Sequence, residues 1–138
     1  KQISLILFSS QSVIMTFMAM IVFSSCLRTN PDPKLYDLRT ENLSSPLGIG
    51  TTSPLLSWKI KSSVNGTAQS SYQVLAASSE ALLNEEEADL WNSGKISSSR
   101  NFLLPYAGTG LNPGSACFWH VRTWDPNAGP PAWSEAAC

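Results

Sequence analysis

Few side chains in this 138-residue sequence have types that do chemistry, and their spacing limits what kind. Glu85, Glu86, Glu87 and Asp89 are the one acidic cluster. Two carboxyl groups act as general acid and base when their surroundings push their pKa values apart. Here all four acids fall in one short polar helix or turn, which reads as a solvated charged face. His120 is the single histidine. No nucleophile elbow or cysteine nucleophile is paired with it by pattern, so it reads as a surface or interdomain packing residue. Cys26, Cys117 and Cys138 include no C-x-x-C pair. A zinc site takes about four ligands at workable spacing, so neither a metal site nor a cofactor is expected. Gly108-Thr109-Gly110 lacks the lysine of a phosphate loop and the dinucleotide spacing, and reads as a turn. Net charge is −1 with no strongly basic stretch, which leaves a nucleic-acid partner no electrostatic footprint.

Cys26 stands apart from the other two thiols. Lys1 supplies a positive charge, and Val13 to Phe23 form a nearly unbroken apolar run. That run is short of the ~20 residues that cross a bilayer and suits the apolar stretch of an export signal. Phe23-Ser24-Ser25-Cys26 follows directly, and small residues before a cysteine at this place resemble the bacterial lipobox. Leu is usual where Phe23 stands. The resemblance implies that the Cys26 thiol takes a diacylglycerol and becomes the mature N-terminus, holding the protein on the membrane of the bacterial envelope. An ordinary cleaved signal, or an uncleaved anchor over Ile3 to Phe23, are the alternatives. The expected organisation is a helical signal over 1–25, a tether over 26–34 and one domain over 35–138. Asn30-Pro31-Asp32-Pro33 suits a tether, because proline fixes φ and lacks the N–H.

The domain must be built from short strands. Leu35 to Leu43 alternates moderately. Leu55 to Lys61 alternates well, with Leu56, Trp58 and Ile60 on one face. Ser71 to Ala77, Asn101 to Tyr106, Cys117 to Trp124 and Ala132 to Cys138 are further candidates. This spacing suggests an all-β sandwich. A short helix is expected from Ser79-Glu80-Ala81-Leu82-Leu83, with Ser78 or Ser79 as cap. Asn92-Ser93-Gly94 reads as a turn. Period two predicts Cys117, Trp119, Val121 and Thr123 facing the core, and Phe118, His120, Arg122 and Trp124 facing outward. Folding back from the Asp125 to Pro131 loop brings Cys138 roughly opposite Cys117. That leaves open a cross-strand disulfide or two free thiols, one buried and one exposed.

Leu111-Asn112-Pro113-Gly114 before a strand resembles the E–F corner of fibronectin type III domains. There an inward tyrosine, whose hydroxyl bonds back to the corner, occupies the position of Cys117. Cysteine cannot make that bond, so a weaker corner or a substitute bond is expected. Ala132-Trp133-Ser134-Glu135 resembles the Trp-Ser box of cytokine-receptor fibronectin domains. The resemblance implies Trp133 stacking on Arg122. The competing reading of Trp124 and Trp133 is a sugar-stacking patch. A third places Phe118, His120 and Trp124 against a following domain.

A wider resemblance covers residues 35–137. Its phrases run from Leu38-Arg39-Thr40-Glu41-Asn42-Leu43 on to Ile49, through Pro54-Leu55-Leu56-Ser57-Trp58-Lys59, and from Tyr72-Gln73-Val74-Leu75-Ala76-Ala77 to Ser79. Ala88-Asp89-Leu90-Trp91-Asn92-Ser93-Gly94-Lys95 and Phe118-Trp119-His120-Val121-Arg122-Thr123-Trp124-Asp125, with Ala132-Trp133-Ser134-Glu135, complete the set. In this order they are similar to the N-terminal fibronectin-III-like domain of bacterial α-L-rhamnosidases. The resemblance implies a fibronectin type III or immunoglobulin-like β-sandwich. It implies a long parent glycoside hydrolase that releases terminal rhamnose with inversion, from a helical barrel far downstream. No catalytic motif of that family falls in this segment. The expected role is a non-catalytic accessory module whose partners are the downstream domains and, through Cys26, the membrane. The alternatives are a module binding a rhamnose-containing glycan through Trp124 and Trp133, or a protein-binding fibronectin-type module.

Overall fold

The computed structural model describes residues 33–63, 65–127 and 131–138. The expected signal, Cys26 and nearly all of the tether lie outside the described residues. Seven strands are described: β1 (Lys34–Thr40), β2 (Leu55–Lys61), β3 (Ser71–Ala77), β4 (Trp91–Asn92), β5 (Ile96–Ser97), β6 (Leu104–Pro105) and β7 (Phe118–Trp124). One sheet has the order β1-β2-β6. In the other, β7 runs along one side of β3, and β4 and β5 also pair with it. Every pairing is antiparallel.

The two sheets face each other across the core that the alternation predicts. Leu35, Leu56 and Trp58 come from one sheet, and Tyr72, Val74, Ala76, Trp119 and Val121 from the other. Trp58 and Trp119 are each only 2 % exposed, and both indoles bridge the layers. Trp58 packs edge-on against Tyr72 at 5.4 Å, and Trp119 Nε1 donates to Thr40 Oγ1 at 3.1 Å. The Trp58 N–H donates to Gln69 Oε1 at 3.1 Å. Neither buried indole is left with an unpaired donor, which would cost about 1–3 kcal/mol.

Several local expectations resolve differently. β1 ends at Thr40 because Glu41 and Asn42 both have positive φ, as a two-residue hairpin turn demands. Thr40 and Leu43 then exchange backbone hydrogen bonds. The expected helix is a single 3-10 turn, Glu80–Leu82, and Ser79 makes no side-chain cap. The chain is diverted just after it, where Asn84 Oδ1 accepts the N–H groups of Glu86 and Glu87, a side-chain turn that competes with helix. Asn92-Ser93-Gly94 is a bulge rather than a free turn. β4 and β5 pair with β3 in registers one residue apart, and Gly94 between them has φ +61°. The candidate strand at Asn101 to Tyr106 shrinks to Leu104–Pro105, since Leu103 has φ +51°. The last candidate, Ala132 to Cys138, keeps two isolated bridges to β7, Trp119 with Ala137 and Arg122 with Trp133.

Candidate functional site: the outer face of β7

β7 is the strand on which sequence placed the most residues of interest. Its inward set holds: Trp119, Val121 and Thr123 are buried. Its outward set, Phe118, His120, Arg122 and Trp124, does not stand free in solvent. His120, expected at a surface or domain boundary, is only 9 % exposed. The C-terminal segment of the same chain folds back over it, and the Trp133 ring stacks on the imidazole at 4.1 Å and 13°. Burial, with the Arg122 guanidinium adding to it, pushes the His120 pKa down to about 4. Its Nε2 is buried with no hydrogen-bond partner, which suits the neutral ring.

Arg122 is the hub of this face. Its guanidinium lies 4.6 Å from the Trp133 centroid and 5.0 Å from that of Trp124. Its Nε and Nη2 donate to Gln73 Oε1 at 3.1 and 2.7 Å, and it forms an ion pair with Glu85. Gln73 is its cross-strand partner on β3 and passes a bond on to Asn92 Oδ1 at 2.8 Å. Lys95 Nζ also sits over Trp124 at 4.6 Å. The row Asn92, Gln73, Arg122, Trp133 therefore crosses the sheet from one side to the other. Ser134 holds the last member in place: its N–H donates to the Val121 carbonyl at 2.8 Å, and its Oγ accepts the Val121 N–H at 3.1 Å. The side chain replaces a backbone partner at a step where the register shifts.

The acidic cluster is exposed at all four positions, as a solvated charged face should be, and three of its members also have partners. Glu85 pairs with Arg122. Glu87 accepts from Asn84 Nδ2 at 2.6 Å. Asp89 accepts the Ser78 N–H and hydroxyl at 2.9 and 2.6 Å, and these bonds hold its pKa below the ordinary 3.8. Glu85, Glu87 and Asp89 are thus pinned to different neighbours. Among the described residues, no three His, Cys, Asp or Glu side chains group as a metal site would need.

Cys117 and Cys138 are both free thiols, the first half-buried and the second exposed. Ala137, not Cys138, is the residue paired with Trp119. On a regular ladder Cys138 then falls opposite Phe118, out of phase with the inward Cys117. Burial, and secondarily Cys138 and Asp89, pushes the Cys117 pKa up to about 11.

A tyrosine hydroxyl bond does occur just before this corner, at a residue that sequence reasoning passed over. The buried Tyr106 donates its hydroxyl to the Thr109 carbonyl at 2.8 Å, with the Leu90 carbonyl at 3.3 Å. Its ring meets Trp91 edge-on at 5.2 Å. Gly108 lies beneath it, where an added Cβ would come within 2.5 Å of the Leu90 carbonyl oxygen, the Trp91 Cβ and the Tyr106 hydroxyl. The signal was present in sequence as Tyr106-Ala107-Gly108, an aromatic two positions before a glycine at a turn.

Residues 35–138 match the family described as Rha78A-like, N-terminal immunoglobulin domain. The chain is 45 % identical over 94 residues to an α-L-rhamnosidase of Streptomyces avermitilis, covering 68 % of this chain and 9 % of that protein. It is 41 % identical over 92 residues to an α-L-rhamnosidase of Formosa agariphila, covering 67 % and 10 %. The crystal structure of the Streptomyces avermitilis α-L-rhamnosidase complexed with L-rhamnose superposes with a TM-score of 0.70 at 40 % identity, over 76 % of this chain and 10 % of that one. The chain thus spans about a tenth of the length of the relatives it matches. By the family match, and by identities of 45 % and 41 % over about two thirds of its length, this all-β chain belongs to the N-terminal immunoglobulin-like domain family of α-L-rhamnosidases.

Proposed function

We propose that this chain is the non-catalytic accessory module of a secreted, lipid-anchored α-L-rhamnosidase, whose parent polypeptide removes terminal rhamnose with inversion. Inverting hydrolysis takes two carboxyl groups about 6.5–9.5 Å apart with a water between them. Glu85, Glu87 and Asp89 are instead each committed to a structural partner. The module's work is mechanical: it spaces the catalytic part from the membrane and supports it by packing.

One observation carries this reading against sugar binding. Trp124 and Trp133, the indoles that would stack on a sugar ring, each already carry two ring contacts. Trp124 has Lys95 and Arg122, and Trp133 has Arg122 and His120. A sugar stacking on either indole would compete with these contacts.

Titration of this chain with rhamnose and rhamnose-containing oligosaccharides, followed by tryptophan fluorescence, is expected to be flat. Incubation with an aryl α-L-rhamnoside is expected to release no phenol. Saturable quenching would move the reading to a carbohydrate-binding module. Anchoring is tested by labelled palmitate, which should enter the wild-type chain in a bacterial host and not the Cys26→Ser variant.

A further inference from the structure

The outer face of β7 is engaged by the chain itself, but among the described residues one end of the sandwich is left uncovered. There the loop of residues 45–52 faces the corner of residues 111–117 across a cavity of about 660 Å³. Leu56, Tyr106 and Trp119, all buried, form its floor, and Leu47 and Leu111 stand among its lining. Leu47 is fully exposed. Cys138 also lines this opening. Among the described residues no charged side chain lines it, and the two stretches that build it carry no charge between Glu41 and Lys59 or between Arg100 and His120.

We propose that this opening is the docking surface for the polypeptide that follows position 138 in a chain of the relatives' length. The proposal rests on the accessory reading and deepens it by naming the surface through which support is given. Three observations converge. A contiguous apolar opening of this size, with a fully exposed leucine at its edge, marks an interaction site where a lone exposed leucine would not. Depletion of charge is the compositional mark of an interface core, so the partner face is uncharged and apolar. The matched segment is about a tenth of each relative and is the N-terminal domain of the family. In a chain of that length, the following residues leave from Cys138, inside this opening. In such a chain the next domain would start at the surface that the described residues leave uncovered.

The test grafts residues 35–138 onto the Streptomyces avermitilis α-L-rhamnosidase in place of its matched segment. Amide hydrogen exchange is then compared between this 138-residue chain and the graft. Amides of residues 45–52 and 111–117 are expected to slow about tenfold or more in the long chain, while those of β7 change little. Leu47→Asp should leave the melting temperature of the 138-residue chain unmoved, since the side chain is fully exposed there, and lower that of the graft. Protection confined to residues 118–124 and 131–135 would overturn the proposed surface and leave the accessory reading standing. Unchanged exchange everywhere would overturn both. Concentration-dependent protection of residues 45–52 in the 138-residue chain alone would show a second copy as the occupant and overturn the proposed partner.

Discussion

Arg122 and Trp133 are paired twice over. They form a backbone bridge between β7 and the C-terminal segment, and the guanidinium lies 4.6 Å from the indole centroid. Together with the Ser134 bonds and the two backbone bonds that Trp119 and Ala137 exchange, this contact keeps the last seven residues on the sheet.

Removing either partner should therefore loosen that end. Arg122→Met is expected to cost about 1–3 kcal/mol, because Gln73 Oε1 loses its donor as well as the ring contacts being lost. Trp133→Ala should cost a similar amount by exposing His120. The double variant should show a coupling of about 0.5–1.5 kcal/mol in urea unfolding. Strict additivity would mean that the stack contributes nothing.

His120 makes stability depend on pH. The folded chain keeps the imidazole neutral until about pH 4, whereas the unfolded chain protonates near the ordinary 6.5. The contribution is fully present above 6.5 and is lost as pH falls from 6.5 to 4, by about 3 kcal/mol. Below 3.8 the depressed carboxyls of Asp37 and Asp89 add to the loss; Asp37 is held by Lys59 at 2.7 Å and Arg39 at 2.8 Å. His120→Phe should flatten the upper window and leave the lower one. Urea midpoints measured from pH 8 to 3 decide it.

Much of this was legible in the sequence, for a physical reason. Period-two alternation over Leu55 to Lys61 and Cys117 to Trp124 puts large apolar residues on one face, and burial of that face leaves the strand little choice of register. What the sequence did not give was the environment of the other face. Alternation places His120 outward. It cannot say that Trp133, thirteen positions later, returns to cover it. Nor can it divide Glu85, Glu87 and Asp89 among Arg122, Asn84 and Ser78, because those pairings depend on where a loop lands. The failed helix at Glu80–Leu82 is the same lesson on a smaller scale: an asparagine side chain captured the backbone that propensity assigned to a further turn.

Gly108 is the tightest point of the corner. Gly108→Ala is expected to destabilise by about 1–3 kcal/mol, since backbone and a Cβ must move to admit the new methyl. Gly110→Ala meets open space and should change stability by less than about 0.5 kcal/mol. Equal melting temperatures for the two variants would remove the Tyr106 corner from this account.

The two described thiols should differ in reactivity. At pH 8 Cys138 is expected to alkylate readily and Cys117 slowly, because burial protects it and holds its pKa near 11. Peptide mass spectrometry after brief iodoacetamide treatment separates them. Comparable rates, or an intramolecular disulfide in freshly prepared protein, would contradict the described register at the chain end.

The most direct test of the accessory role removes the module from a rhamnosidase of full length. The segment matching residues 35–138 is deleted from the Streptomyces avermitilis α-L-rhamnosidase, and the melting temperature is compared with that of the intact enzyme. A melting temperature lower by several degrees is predicted, with turnover per folded molecule retained. An unchanged melting temperature with unchanged activity would contradict it.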